Sequence, residues 1–406
     1  MTKPLTLIHL ISEQTMQNLV PLLALKPARV VHICSRDERF RAAARHIESA
    51  AREAGLDAQF QVHELAAAVP DIEPVRAALQ QTLSVFPGAV VNITGGTKLM
   101  CLGSYLGASE FPVPMLYCDT DRQQFVALGK HPLPPHPSFA EVVCRLTLRV
   151  VLAAHGKPPD AWGFSRADPA RLEFGRRAWV LRGQFWEQFR RYGFNRRIQS
   201  FFFSENGRVP SGKSKLAAFC EADLTRSLPD PIPGPVTDFL SAAADAGILV
   251  RMVDGGFKVG PPPGTGDLRE HVERAASLLA GSWLELAVLN FVSSSSRLLD
   301  PHWSVQPRRG QPNAEDTQSF GETDVVCIAL PQGNLQVISC KTSPGKPLEH
   351  LESLRERSQN LGGRFAGATL ALLGSRNDQI AELRRWSRLL GVRVLIGEEI
   401  ETLSDS

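Results

Sequence analysis

The sequence predicts an α/β chain in three parts: a parallel sheet covered by helices on both faces, a small helical middle block, and a second α/β unit. Three observations carry this. Five short apolar segments alternate with amphipathic stretches over the first 125 positions. Two proline-rich breaks, HPLPPHPSF (131–139) and PPPGTG (261–266), interrupt the text, and the alternation resumes after the second. At 406 residues the chain also exceeds one ordinary core. The expected units are 1–130, 140–262 and 265–406.

In the first unit TLIHLIS (6–12), ARVVHICS (28–35), AQFQVHEL (58–65), GAVVNIT (88–94) and PVPMLYCD (112–119) read as strands. The segments between them, EQTMQNLVPLLAL, a charged run to about Ala54, IEPVRAALQQTL and TKLMCLGSYLGAS, read as helices, giving a Rossmann-like fold. The middle block is mainly helical and basic, as in RRAWVLRGQFWEQFRRYGFNRR (176–197). It closes on VTDFLSAAADAGILVRMVDGGFKVG, a helix and two short strands about a Gly-Gly turn. That ending suits the last helix and wing of a winged helix, or a helical connector with a hairpin. The last unit reads as a helix through SLLAGSWLELAVLNFV, strands TDVVCIAL and LQVISCKT, a helix, the strand TLALLG, another helix and the strand VRVLIG.

A composition of 43% hydrophobic and 21% charged residues is that of a soluble globular protein. No apolar run approaches the roughly 18 residues of a membrane span, and MTKPLTLIHL lacks the features of a signal peptide. A cytoplasmic protein without a membrane partner is expected. The cysteines at 34, 101, 118, 144, 220, 327 and 340 are odd in number and never spaced C-x-x-C, so neither a disulfide framework nor a zinc site is indicated. A net charge of +3 says little by itself about nucleic-acid binding.

Ligands of open parallel sheets sit outside the strand carboxyl ends where the order reverses, in the common arrangement between strands one and four. Thr94-Gly95-Gly96-Thr97-Lys98 occupies that place. Two glycines admit close backbone approach, the following helix directs free N–H groups at an anion, and Lys98 with two threonine hydroxyls adds charge and donors. The partner loop, Ile11-Ser12-Glu13-Gln14-Thr15, lacks G-x-G-x-x-G, which argues against a dinucleotide site. Gly207 to Ser214 (GRVPSGKS) matches the P-loop pattern, but SFFFSEN before it is a poor buried strand and SLPDPIPGP after it cannot supply the sheet an ATPase needs. Lys213 and Lys215 are expected instead to join Arg196, Arg197 and Arg208 in a basic surface.

Restriction-type nucleases place an acid at the start of one hairpin strand and a carboxylate-x-Lys at the end of the next. The carboxylates hold a divalent cation at the scissile phosphate and the lysine activates water. GETDVVCIALPQGNLQVISCKTS has this layout, with Asp324 opening the first strand, PQGN the turn and Lys341 ending the second. Glu322 shares the Asp324 strand face, and Glu285 lies on the preceding helix. Position 339 holds a serine instead of an acid. A metal there would depend on Asp324, the Cys340 carbonyl, and Glu285 or Glu322, with weaker binding or a preference for Mn²⁺ over Mg²⁺.

With S-x-Q-T after its first strand and N-I-T-G-G-T-K after its fourth, the N-terminal unit resembles the CARF domains of CRISPR-associated effectors. G-S-W-L-E, E-T-D-V-V, I-S-C-K-T and L-G-G-R-F in the last unit resemble the restriction-endonuclease-like half of the same effectors. The resemblance implies a homodimer that binds a cyclic oligoadenylate across its two-fold axis, cyclic tetra-adenylate being the expected ring. Thr94, Gly95, Gly96, Thr97 and Lys98 would hold phosphates and riboses, and Ser12, Gln14 and Thr15 would line the adenine pocket. It further implies metal-dependent cleavage of DNA or RNA as a type III CRISPR antiviral activity, with Asp324, Lys341, Glu285, Glu322 and Ser339 at the catalytic site. The rival expectation is a ligand-sensing transcription regulator with winged-helix DNA binding and an inactive nuclease fold.

Overall fold

A computed structural model describes residues 4–66, 71–165, 167–191, 194–202, 213–228, 230–259, 267–307, 321–343, 345–375 and 377–405. Strands β1 (Thr6–Leu10), β2 (Arg29–Cys34), β3 (Gln59–Glu64), β4 (Val90–Asn92), β5 (Met115–Asp119) and β6 (Gln124–Leu128) form the first sheet. Their order is β3-β2-β1-β4-β5-β6, parallel except for β6, so the reversal falls between β1 and β4 as the sequence predicts. The sixth strand was not foreseen: QFVAL at the sheet edge has no buried face to give it a period-two signal.

Alternation decides which helices cover which face. Leu7 and Ile11 pack with α1 (Met16–Leu25) and α2 (Glu38–Glu53), whereas Ile8 and Leu10 meet α3 (Ile72–Val85) and α4 (Lys98–Ala108). The α1–α2 face does not end at the domain. Helices α5 (Phe139–Val143) and α6 (Leu148–Ala154) lie between it and the second sheet, and one apolar core runs through Leu19, Ile47, Val143 and Val151 to Val326, Val337 and Leu351.

The second sheet has the order β14-β13-β12-β11-β10-β7. Its first strand, β7 (Trp162–Ser165), comes from the stretch assigned to the middle block and pairs with a strand 140 positions downstream, because the apolar run 139–162 buries itself between the two α/β units. The middle block proper is α7 (Pro169–Arg191), α8 (Phe194–Phe202), α9 (Lys213–Cys220) and α10 (Gly234–Asp245), followed by the hairpin of β8 (Val250–Arg251) and β9 (Phe257–Lys258). The P-loop-like stretch lies outside the described residues up to position 212, as do the side chains of Arg196, Arg208, Lys213 and Lys215; Arg197 donates to the Ser227 carbonyl at 3.2 Å.

Helices α11 (Leu268–Ser277) and α12 (Trp283–Ser294) join through a widened turn at Leu278–Ser282. Leu268–Ser294 is long and apolar enough by composition to cross a membrane, yet Val272, Leu279, Trp283, Leu286 and Val292 are all fully buried, as in a core helix. Then come β10 (Leu298–Pro307), β11 (Thr323–Ala329), β12 (Asn334–Lys341), α13 (Pro347–Gly362), β13 (Gly367–Leu372), α14 (Asn377–Leu390) and β14 (Arg393–Ile396). The sequence reading missed β10, whose text LLDPHWSVQP carries a mid-strand Pro and takes a bulge, with positive φ at Asp300 and Ser304. Val325, Cys327, Ile338 and Cys340 face α12, while Val326, Ile328, Leu335 and Val337 face α6 and α13. The β11–β12 turn docks on the first unit: a Cβ at Gly333 would lie 3.0 Å from Leu146 and 3.4 Å from Met16. All seven cysteines are free.

Candidate functional site

Two places gather the residues singled out above. The first lies beyond the carboxyl ends of β1 and β4, a cavity of about 500 Å³ lined by Ser12, Glu13, Gln14, Gln17, Arg39, Phe40, Thr94, Gly96, Lys98, Cys101 and Tyr117. Its shape is fixed by Asn92 at the end of β4. The Asn92 side-chain Oδ1 accepts from the Thr94 amide (3.1 Å) and hydroxyl (2.6 Å), and its Nδ2 donates to the Gln17 carbonyl (3.2 Å) and to Asn18 Oδ1 (3.3 Å). The Thr94 hydroxyl also accepts from the Cys118 amide at 2.6 Å. That hydroxyl holds the loop to β5.

Gly95 sits so close to β1 that a Cβ would fall 1.9 Å from the Leu10 carbonyl oxygen, and Gly96 turns the chain at φ 80°. Thr97 caps α4, accepting from Met100 at 3.3 Å, which leaves Lys98 on the first turn at the cavity wall. Ser12 accepts from the Gln14 amide (3.3 Å) and Gln14 accepts from Gln17. Thr15 departs from the expected set: it is 3% exposed and lines an adjoining crevice of about 320 Å³ with His46, His155, Gln359 and Asn360. Burial pushes the His155 imidazole down to about 4, so it stands there neutral. Gln17, Arg39, Phe40 and Tyr117 line the first cavity and were missed. Arg39 left a readable signal, a cation on the first turn of a helix, where the macrodipole favours acids.

The second place is the open end of the β11–β12 pair. Alternation puts Ser339 and Lys341 on one face of β12, opposite the start of β11. Asp324 Oδ2 accepts from the Ser339 hydroxyl (3.0 Å) and the Cys340 amide (2.6 Å), and Lys341 Nζ lies 3.6 Å away. Lys341 keeps 37% of its side chain exposed against 13% for Asp324, so the cation faces solvent and the acid does not. Glu285, on α12, accepts from Trp303 Nε1 (2.8 Å) and Ser282 Oγ (2.7 Å). Burial, with the Asp324 charge as the next cause, raises its carboxyl to about 7.

The third predicted acid, Glu322, whose charge also acts on Glu285, has partners of its own. Glu322 accepts from Ser304 Oγ, and its carbonyl accepts from Arg357 at 2.9 Å. Among the described residues, no group of three or more His, Cys, Asp and Glu could hold a metal ion. Glu285 feels the charge of Asp324 and, to a lesser degree, that of Glu322, a repulsion that a cation would relieve. The Cys340 thiol is buried and held well above its usual range by burial, then by Asp324 and Glu285, so only its backbone is available to a hard ion.

Residues 6–134, which carry the first sheet, match the family model of the Card1 CARF domain. Over its whole length the chain has the fold of two solved structures. Can2 from Sulfobacillus thermosulfidooxidans, determined in complex with cyclic tetra-adenylate, is 17% identical at a TM-score of 0.64, with 99% of this chain and 97% of that one covered. Protein VC1899 from Vibrio cholerae is 15% identical at a TM-score of 0.67, with 99% and 96% covered. No curated protein matches the chain.

Proposed function

We propose that the chain is a cytoplasmic, homodimeric effector of type III CRISPR antiviral defence, in which a cyclic oligoadenylate switches on a restriction-endonuclease-like domain that hydrolyses DNA or RNA phosphodiesters. The observation that carries this is the cavity at the β1/β4 reversal, walled by Thr94, Gly96, Lys98 and the Ser12–Gln14 loop. Cyclic tetra-adenylate, the ligand of Can2, is the expected ring. A second copy is the expected partner of the exposed α4 face: Leu99, Leu102, Tyr105 and Leu106, with Tyr117 beside them, are each at least 40% exposed next to the cavity. A two-fold axis there would bring two cavities together on a ligand with its own two-fold symmetry.

At the nuclease site Asp324 and Glu285, with the Cys340 carbonyl, would hold Mn²⁺ or Mg²⁺, which when bound supplies Lewis acidity at the scissile phosphate. Ser339 and the Cys340 amide orient Asp324. Lys341, exposed beside it, attracts the phosphate and orients the attacking water.

The test incubates the protein with either metal and single- and double-stranded DNA and RNA, with and without cyclic tetra- and hexa-adenylate. Ligand-dependent cleavage, lost in Asp324→Ala and Lys341→Ala while ligand binding persists, is expected. Inactivity under every condition together with sequence-specific duplex binding would instead favour the transcription regulator. Against that rival, the hairpin cations Arg251 and Lys258 are already paired with Asp245 (2.7 Å) and Glu221 (2.5 Å).

A further inference from the structure

Two helices point their N-termini into the same cavity, and each carries a cation where an acid would suit the helix better: Lys98 opens α4 and Arg39 is the second residue of α2. Their surroundings differ. Among the described residues Lys98 has no carboxylate partner. Arg39 Nη1 meets Glu13 Oε1 at 2.8 Å, while its Nη2 and Nε donate to Asp37 at 2.7 and 3.2 Å. Asp37 is committed elsewhere, because its side chain also caps α2 through the Arg39 amide at 3.0 Å. Glu13 has no such backbone duty; it lies on the β1–α1 loop, 57% exposed, and holds Arg39 across the cavity mouth.

We propose, resting on the function given above, that Arg39 is a partner-exchange residue: in the free protein Glu13 holds it, and a phosphate of the bound ring takes it over, displacing Glu13. The chemistry favours the exchange. A guanidinium pairs with a phosphate bidentately, and both helix N-termini add favourable potential for an anion that an outlying carboxylate does not share. Glu13 and Arg39 also line the 320 Å³ crevice against Gln359 and Asn360 of α13, so the exchange changes a wall that the ligand domain shares with the second α/β unit.

Calorimetric titration of the full chain with cyclic tetra-adenylate tests this, using Arg39→Gln, Glu13→Gln and the double variant, each checked for an unchanged thermal midpoint. A lost charge-assisted contact predicts binding weakened about 10- to 100-fold in Arg39→Gln. Glu13→Gln removes the competitor, so the ring binds about 3- to 10-fold tighter, and in the Arg39→Gln background the same change has no effect. Wild-type binding with an unaltered Kd in Arg39→Gln overturns the exchange, as does a Glu13→Gln effect independent of Arg39. Failure of the wild type to bind any cyclic oligoadenylate overturns the proposed function itself, and the exchange with it.

Discussion

Ser339 donates a 3.0 Å hydrogen bond to Asp324 across the β11–β12 pair, at the position where a second carboxylate would be expected. The serine is therefore not a vacancy in the site. It supplies a donor, and with the Cys340 amide and the Lys341 ammonium it neutralises one oxygen of the acid by means of the chain itself. A cation at this site would have to compete with these donors for Asp324, so weak metal affinity is the expected outcome.

Ser339→Asp reverses that arrangement by setting two carboxylates face to face. In chelator the variant should lose about 1–3 kcal/mol of stability through like-charge repulsion and the lost hydrogen bond. Mn²⁺ should restore it, with a Kd for Mn²⁺ at least tenfold lower than that of the wild type. Thermal melts and calorimetry with and without metal decide this; an unchanged metal affinity would mean that Asp324 is not a ligand.

Glu285 gives the site a pH signature. Its folded-state value of about 7 lies above that of an unfolded glutamate, so between roughly pH 4.5 and 7 the folded chain holds the extra proton. Stability contributed by that proton is present at low pH and is lost as the pH rises through 7, by something of the order of 3 kcal/mol. Urea unfolding in chelator at pH 5 and 8 should show the decline, and Glu285→Gln should flatten it. A slope that survives the substitution would assign the effect to another group.

Much of this architecture was legible because the hydrophobic pattern repeats it locally. Strands β1, β2 and β4 are buried almost throughout and stand in the text as apolar runs, and the Asp324–Lys341 hairpin buries much of both its strands. What escaped was decided elsewhere in the chain. Strand β10 tolerates Pro301 because a bulge absorbs it, and β7 is a strand only because Trp303 and Gln306 lie beside it. The same holds at the sites. Lys98 was readable from its loop, but Arg39 reaches the cavity from a helix after a different strand, and Thr94 turned out to hold β5. The partners of Glu322, Ser304 on its side chain and Arg357 on its carbonyl, are ones that no spacing rule includes.

His9 and His32 are paired neighbours on β1 and β2, both buried, their ring centroids 5.6 Å apart, and their ring nitrogens find no partner among the described residues. Burial drives His32 down to about 4 and holds His9 well below its ordinary value. The sign is opposite to that of Glu285: stability from these neutral rings is complete above pH 6.5 and is lost as the pH falls from there toward 4. For His32 alone the loss approaches about 3 kcal/mol. His32→Leu should hold its unfolding midpoint between pH 6.5 and 5 better than the wild type does; equal acid sensitivity in the two proteins would contradict a buried neutral His32.

Gly95 offers the sharpest steric test of the ligand loop. An alanine Cβ there would stand 1.9 Å from the Leu10 carbonyl oxygen and 3.0 Å from Asn18, so either β1 or the loop must move. Backbone displacement on that scale costs about 3 kcal/mol or more, beyond the usual effect of a single substitution. It would also pull Thr94 off Asn92 and carry Lys98 out of register with the cavity, so ligand binding should fall with stability. Gly88→Ala serves as the internal control, since nothing lies within 4 Å of a Cβ at that position. Thermal melts and ligand titration of the two variants side by side should separate them: Gly88→Ala within about 0.5 kcal/mol of the wild type, Gly95→Ala destabilised and unable to bind. If Gly95→Ala binds and melts like Gly88→Ala, the close approach of the loop to β1 is wrong.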